Sequence, residues 1–342
     1  MTVCGIDLEA EKQAKEHQNR LTKPLGALGK LEDFACWLAA RQGKAMPDLL
    51  KPHICVFAGD HGVVDEGVSA YPSVVTGEMV KNFARGGAAI NVLARQCHAS
   101  LSVVDAGVVS DISDVEGVVH AKVRAGSANL AREAAMTGEE ENLALQLGRT
   151  QARQATASGA NLLIAGDMGI GNTTASACLI CELAYGDVQD VVGHGTGVDD
   201  DGRVRKVDVV HQALKRVGDI QPQDVLRELG GLEIAAMAGF YLQSAEQGVP
   251  VIVDGFIAAA AALAARAYEP KVTDWMLASH VSQEKGHQIA LEALGLEPLI
   301  DFNMRLGEGS GAALIVPLLQ SAVALHREMA TFDSAGVSEK DG

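Results

Sequence analysis

Aromatic residues make up only 4% of the 342-residue chain, although 48% of it is hydrophobic. With few rings, 37 glycines and long Ala-rich stretches, the composition points to helices packed closely against a sheet. Cysteine is sparse as well. The six cysteines, at positions 4, 36, 55, 97, 178 and 181, are scattered as in reduced proteins whose thiols serve as small apolar residues, which argues against a disulfide framework. Cys178 and Cys181 form a C-x-x-C, but no second Cys or His pair completes zinc-ligand spacing, and core packing is the reading. No metal is expected. Long apolar runs are also missing: the most apolar stretch, residues 252–265, is interrupted by Asp254 and falls short of the roughly 20 residues that span a membrane. The first residues carry Asp7, Glu9 and Glu11, neither the basic start nor the apolar middle of a secretory signal, which predicts a cytoplasmic protein. The net charge of −16, with no basic stripe, argues against nucleic acid as the main partner.

What is present is an α/β pattern. Residues 7–42 read as helical, with Leu21, Leu25, Leu28, Leu31, Phe34 and Leu38 at three- and four-residue intervals around a Pro-Gly interruption. From about residue 52 the chain changes to short apolar runs ending in polar residues, each followed by a helix-compatible segment. Six runs, HICVFAGDHG, SLSVVDAGVV, NLLIAGDMG, VQDVVGHG, VPVIVDGF and DWMLASH, predict a doubly wound, mainly parallel sheet of about six strands. The expected organisation is an N-terminal helical segment (1–45) contributing to a small domain, an α/β domain (46–330) and a flexible tail (331–342). Asp60, His61, Asp105, Asp167, His194, Asp254, Ser279 and His280 stand at the C-terminal ends of the runs, where open parallel sheets bind ligands. Any one of them reads equally as a helix cap or turn former; their recurrence points to one functional mouth.

Three glycine-rich segments carry the chemistry. GDMGIGNTTASA (166–177) leaves a strand and enters a helix, so its backbone N–H groups and the helix start form a phosphate cradle. It misses the P-loop because Asn172 stands where the lysine belongs, and misses G-x-G-x-x-G because Thr174 replaces the third glycine. GHGTGVDDDGRVRK (193–206) brings Lys206, a candidate for the positive charge the cradle lacks. Its acidic run lacks the spacing of a calcium loop and reads as a solvated turn. RLGEGSGAA (305–313) sets Glu308 between glycines before an apolar helix. A carboxylate there caps a helix dipole or, if enclosed by apolar walls, gains the proton affinity of a general base.

With KPLGALGKLE, AGDHGVVDEGVSAYPSVVT, NFARGGAAINVLAR, GVPVIVDGF and SHVSQEKGH, these segments in order resemble the nicotinate-nucleotide:dimethylbenzimidazole phosphoribosyltransferase family over most of the chain. The resemblance implies an α/β domain with a smaller helical one, a homodimer, no metal and no cofactor. The implied reaction moves ribose 5-phosphate from nicotinate mononucleotide to 5,6-dimethylbenzimidazole or a related base, giving an α-ribotide and nicotinate for the lower ligand of a cobamide. By position Glu308 matches the general base, with Asp167 a second carboxylate. Gly169, Ile170, Gly171, Asn172 and Thr173 match the phosphate loop, and Lys206, Ser282 and Arg305 its polar partners. Ser69, Tyr71, Pro72, Glu78 and Leu306 match the pocket for the base. The chain departs from the family where Asp167 replaces a frequent Glu and Glu78 a Gln, and the second departure is expected to tune the acceptor. Alternatives are the same transfer to adenine or a phenol, and a non-catalytic nucleotide-binding subunit, against which Glu308 stands intact in its motif.

Overall fold

A computed structural model describes residues 2–338. The chain begins with helices α1 (Leu8–Arg20) and α2 (Lys30–Gln42). Asp7 starts α1 by accepting from Ala10 N at 2.9 Å, and Gly43 ends α2 in a left-handed conformation. Next come β1 (Pro52–Gly59), α3 (Val74–Ala84), α4 (Ala89–Gln96), β2 (Ser100–Gly107), β3 (Val118–His120), α5 (Gly138–Ala157) and β4 (Leu162–Met168). Helices α6 (Asn172–Leu183), α7 (Val188–Val191), α8 (Asp200–Val217), α9 (Val225–Leu229) and α10 (Leu232–Gln247) lead to β5 (Val251–Val253) and α11 (Phe256–Tyr268). The last elements are β6 (Met276–Ala278), β7 (His280–Ser282), α12 (His287–Leu294), β8 (Ile300–Met304), α13 (Ser310–Glu328) and α14 (Phe332–Ala335). No helix among the described residues is long and apolar enough to cross a membrane.

Six strands form one sheet in the order β3-β2-β1-β4-β5-β6, every pair parallel. This is the 3-2-1-4-5-6 order of a doubly wound fold, whose direction of winding reverses between β1 and β4. Side-chain alternation along the central strands divides the core: Cys55 and Phe57 point to one layer, and Ile54, Val56 and Ala58 to the other. On the first layer α10 lies so close to α5 that a Cβ on Gly148 would sit 1.7 Å from the Ala236 carbonyl oxygen. Small residues let the helices approach this closely, which accounts for a large core with few rings. Phe57, fully buried, meets Phe240 edge-on at 5.7 Å.

Two strand expectations are corrected. VQDVVGHG is not a strand: Asp187 accepts from Gln189 N at 2.8 Å and opens α7. Val188, Val191 and Val192, all buried, have the i, i+3, i+4 spacing of a helix face. The sixth strand is β3, a three-residue edge strand whose residues are partly or largely exposed, too short and too polar to stand out. Beyond β6 the chain forms a separate two-stranded parallel sheet, β7 and β8. The tail does not begin at residue 331. Thr331 pairs with Leu21, caps α14 by accepting from Ser334 N at 3.1 Å, and is followed by an Arg20–Asp333 ion pair. Residues 339–342 of the expected tail lie outside the described residues.

Candidate active site

The cavity of interest, about 480 Å³, opens at the C-terminal ends of the strands beside the β1/β4 reversal. Its wall takes Asp167 to Ile170, Asn172 and Thr173 from the exit of β4, Gly255 to Ile257 from the start of α11, and residues 304–308 from the segment before α13. Tyr71, Gly195, Thr196, Ser282 and Glu284 complete it.

Two carboxylates line the wall. Glu308 adopts a left-handed backbone, φ 67°, and its N–H donates to the Asp167 carbonyl at 3.2 Å. Its buried carboxylate accepts from Ile90 N, at the start of α4, at 3.3 Å, and burial raises its pKa. The fit is close: a Cβ on Gly166 would fall 2.3 Å from the Glu308 carbonyl carbon. Asp167, also buried, accepts from Asn172 Nδ2 at 2.9 Å. Burial, with the charges of Glu233 and Glu308 adding to it, pushes its carboxyl up to about 7. A side chain on Gly307 would strike this carboxyl, since its Cβ would lie 2.6 Å from Asp167 Oδ1. Asp254 pins the start of α13 by accepting from Gly309 N at 3.2 Å and Ala312 N at 2.7 Å. It thereby anchors the backbone that presents Glu308.

Two helix starts at the cavity, α6 and α11, lack side-chain caps, and Gly169 and Gly255 bring backbone to its wall, an arrangement suited to an anion. Gly171 takes φ 97° to make the α6 turn. Lys206 reaches in from α8, fully buried, and donates to Thr173 Oγ1 at 2.7 Å; burial lowers its pKa to about 8. It stands one side chain behind the wall. Arg305 is at the exposed rim and donates to the Gly195 carbonyl at 3.3 Å. Ser282 is buried at the end of β7.

The structure thus gathers Glu308, Asp167, Gly169, Ile170, Asn172, Thr173, Ser282, Arg305, Tyr71 and Leu306 around one cavity, with Gly171 and Lys206 supporting it. Ser69 stands behind Tyr71 and accepts from its N–H at 3.2 Å. Pro72 and Glu78 are exposed and do not line the wall. Glu78 occupies the solvent side of α3, whose inward residue Thr76 accepts from Ile170 N at 3.1 Å. Glu78, expected at the base pocket from its position in the family pattern, thus stands outside the wall of this cavity. Gly169 lines the cavity and is also packed from below: a Cβ there would meet the Gly59 carbonyl oxygen at 2.4 Å, so its missing side chain serves packing below the loop as well as access above it. Of the other strand-end residues, Asp105 closes its own turn on Val108 N at 2.8 Å, and His194 is bonded to the Val198 carbonyl. Sequence reasoning missed Glu284 and Glu233. The second left a signal, a carboxylate at the second position of a helix that opens after a Gly-Gly pair.

The phosphoribosyltransferase family profile matches residues 3–337. A protein of Chromobacterium violaceum named nicotinate-nucleotide–dimethylbenzimidazole phosphoribosyltransferase is 61% identical over 337 residues, covering 98% of each chain. One of the same name from Pseudomonas aeruginosa is 51% identical over 341 residues, 99% of this chain and 97% of that one. A crystal structure of the enzyme so named from Thermus thermophilus superposes with a TM-score of 0.92 at 49% identity, over 97% of this chain and 99% of that one. With the fold, the cavity and full-length similarity in agreement, the chain belongs to the nicotinate-nucleotide–dimethylbenzimidazole phosphoribosyltransferase family.

Proposed function

We propose that the chain transfers the 5-phosphoribosyl group of nicotinate mononucleotide to 5,6-dimethylbenzimidazole or a related base, releasing nicotinate and an α-ribotide for cobamide assembly. The observation that carries this reading is one cavity lined both by uncapped, glycine-rich helix starts backed by Lys206 and by the buried carboxylate of Glu308. The glycine-rich part holds the 5′-phosphate. A ring nitrogen of the base attacks the anomeric carbon from the face opposite nicotinate, and the bond to the pyridinium nitrogen breaks with its electron pair returning to that ring. Nicotinate thus leaves without needing a proton. The attacking azole becomes cationic, and Glu308 removes the proton from its other nitrogen. Asp167, joined to Glu308 through the backbone and with a proton affinity matched to neutral pH, is the second acceptor. Alignment of two rings and one proton acceptor supply most of what such a step needs.

The test is to incubate the purified chain with nicotinate mononucleotide and a panel of benzimidazoles, adenine and phenols, and to identify products by mass. Release of nicotinate with an α-ribotide of a benzimidazole is the expected result; no release with any base overturns the reading. We further propose a cytoplasmic homodimer in which the N-terminal helices form part of a small domain, for which sedimentation and cell fractionation are the checks.

A further inference from the structure

Beneath the cavity lies a buried pair that the chemistry above does not use. His61 follows β1 and Glu233 occupies the first turn of α10. His61 Nε2 and Glu233 Oε1 are 2.6 Å apart, and neither side chain reaches solvent. Three glycines from three segments make room for them. A Cβ on Gly59 would come within 2.8 Å of Glu233 Oε2, one on Gly169 within 3.0 Å of Glu233 Oε1, and one on Gly231 within 2.2 Å of His61 Cε1. Gly169 lines the cavity, so the oxygen that the imidazole holds also lies directly under the backbone of the loop that faces substrate.

Stability does not explain this arrangement. A buried ion pair is often no better than apolar side chains of equal volume, and the surrounding core is built of such side chains. Burial opposes charge on His61, yet the surrounding carboxylates, Glu233 foremost, together outweigh it and raise the ring's pKa. Asp60, next to His61, and Asp167, at the end of β4, also face the ring. Asp167 in turn faces Glu233, Glu308 and Asp254. Among these groups His61 is the one basic side chain, and it is paired with the carboxylate that lies under Gly169.

We propose that His61 and Glu233 are positioning residues of the transferase site: the pair wedges residues 167–169 against the cavity and holds a negative charge beneath Asp167, fitting Asp167 to accept a proton. The proposal rests on the transferase reading. Glu233's charge strengthens Asp167 as a base, because a neighbouring anion disfavours its ionised form. Asp167 acts only when ionised, so activity that depends on it falls as pH drops through its pKa.

The experiment measures kcat and KM for nicotinate mononucleotide across pH, with thermal melting, for the full chain and three variants. Glu233→Gln keeps the shape and removes the charge. Its kcat is expected to fall on the order of 10–100-fold with KM little changed, as when reacting groups are misplaced from a distance, and its acid limb to move to lower pH. Glu233→Asp keeps the charge with a shorter reach, so its rate falls while the acid limb stays. The double variant His61→Gln/Glu233→Gln restores a neutral hydrogen-bonded pair, and is expected to recover melting temperature without recovering kcat or the limb. Full kcat in the double variant, or an acid limb unmoved in both variants that lack the charge, overturns the proposal. A wild-type chain that releases no nicotinate overturns the transferase reading instead, before any variant is made.

Discussion

Glu308 is the residue at which the fold and the proposed chemistry disagree. Its left-handed backbone costs a non-glycine residue roughly 1–2 kcal/mol, and its carboxylate is buried with one backbone donor. A residue that a stable fold would make glycine is kept as a carboxylate. Glu308→Gln preserves shape and removes basicity, so turnover is expected to fall on the order of 10²–10⁴-fold with substrate affinity changed much less; single-turnover rates and binding constants check this. Glu308→Gly should abolish turnover yet melt no lower than wild type, because it relieves the strained backbone and the desolvated charge. A clear drop in its melting temperature would show that the bond to Ile90 N outweighs the strain. Lys206 gives a prediction of opposite pH sign. With its pKa lowered to about 8 by burial, it is cationic below that pH and neutral above, so KM for nicotinate mononucleotide should rise as pH passes 8. Lys206→Met should have a high KM at every pH. Glu308 and Lys206 were both legible in the sequence, one from its glycine flanks and the other from its place after a second glycine-rich turn. The His61–Glu233 contact was not, because 172 residues separate partners that only the β1 and α10 packing brings together.

Among the elements, the sequence revealed those whose burial is continuous. Strands β1, β2 and β4 stand as apolar runs because both their faces are covered, whereas β3 at the edge, partly exposed over three residues, carries no such mark. VQDVV misled because three valines resemble a strand until their spacing is counted. Glycines separate structural from functional sites at this scale. Gly148→Ala would force a Cβ to 1.7 Å from the Ala236 carbonyl oxygen and should destabilise the chain by about 1–3 kcal/mol or more, as overpacking does, while the folded fraction keeps its turnover. Gly166→Ala presses instead on the Glu308 backbone and should lower turnover beyond any loss of folded protein. Urea unfolding beside activity per folded molecule distinguishes the two. Equal effects on both measures would mean that the strand exit does not set Glu308.

For the molecule as a whole, the parallel sheet was readable from six runs, although one run was wrong and its replacement was found only in the structure. Domain boundaries are less separable than composition suggests. Leu38 of α2 belongs to the same core as Ile54 of β1 and Val316 of α13, and Cys4 reaches across to donate its N–H to the Ala245 carbonyl at 3.0 Å and accept from Trp275 Nε1 at 3.1 Å. Deleting residues 1–45 should therefore yield an aggregating or unfolded chain. Native near-UV dichroism and a single sharp melt for the deletion would refute that. The crowding around the site also bears on how such a protein can change over generations. Any amino-acid substitution at Gly59, Gly166, Gly169 or Gly307 adds at least a Cβ, and each would land within 2.6 Å of another residue's atoms, or 2.8 Å for Gly59. Mutational drift is thus nearly closed to the floor of the cavity. It stays open at Tyr71 and Leu306, half exposed at the wall, so a lineage acquiring a new acceptor base would be expected to rewrite that rim while inheriting the floor unchanged.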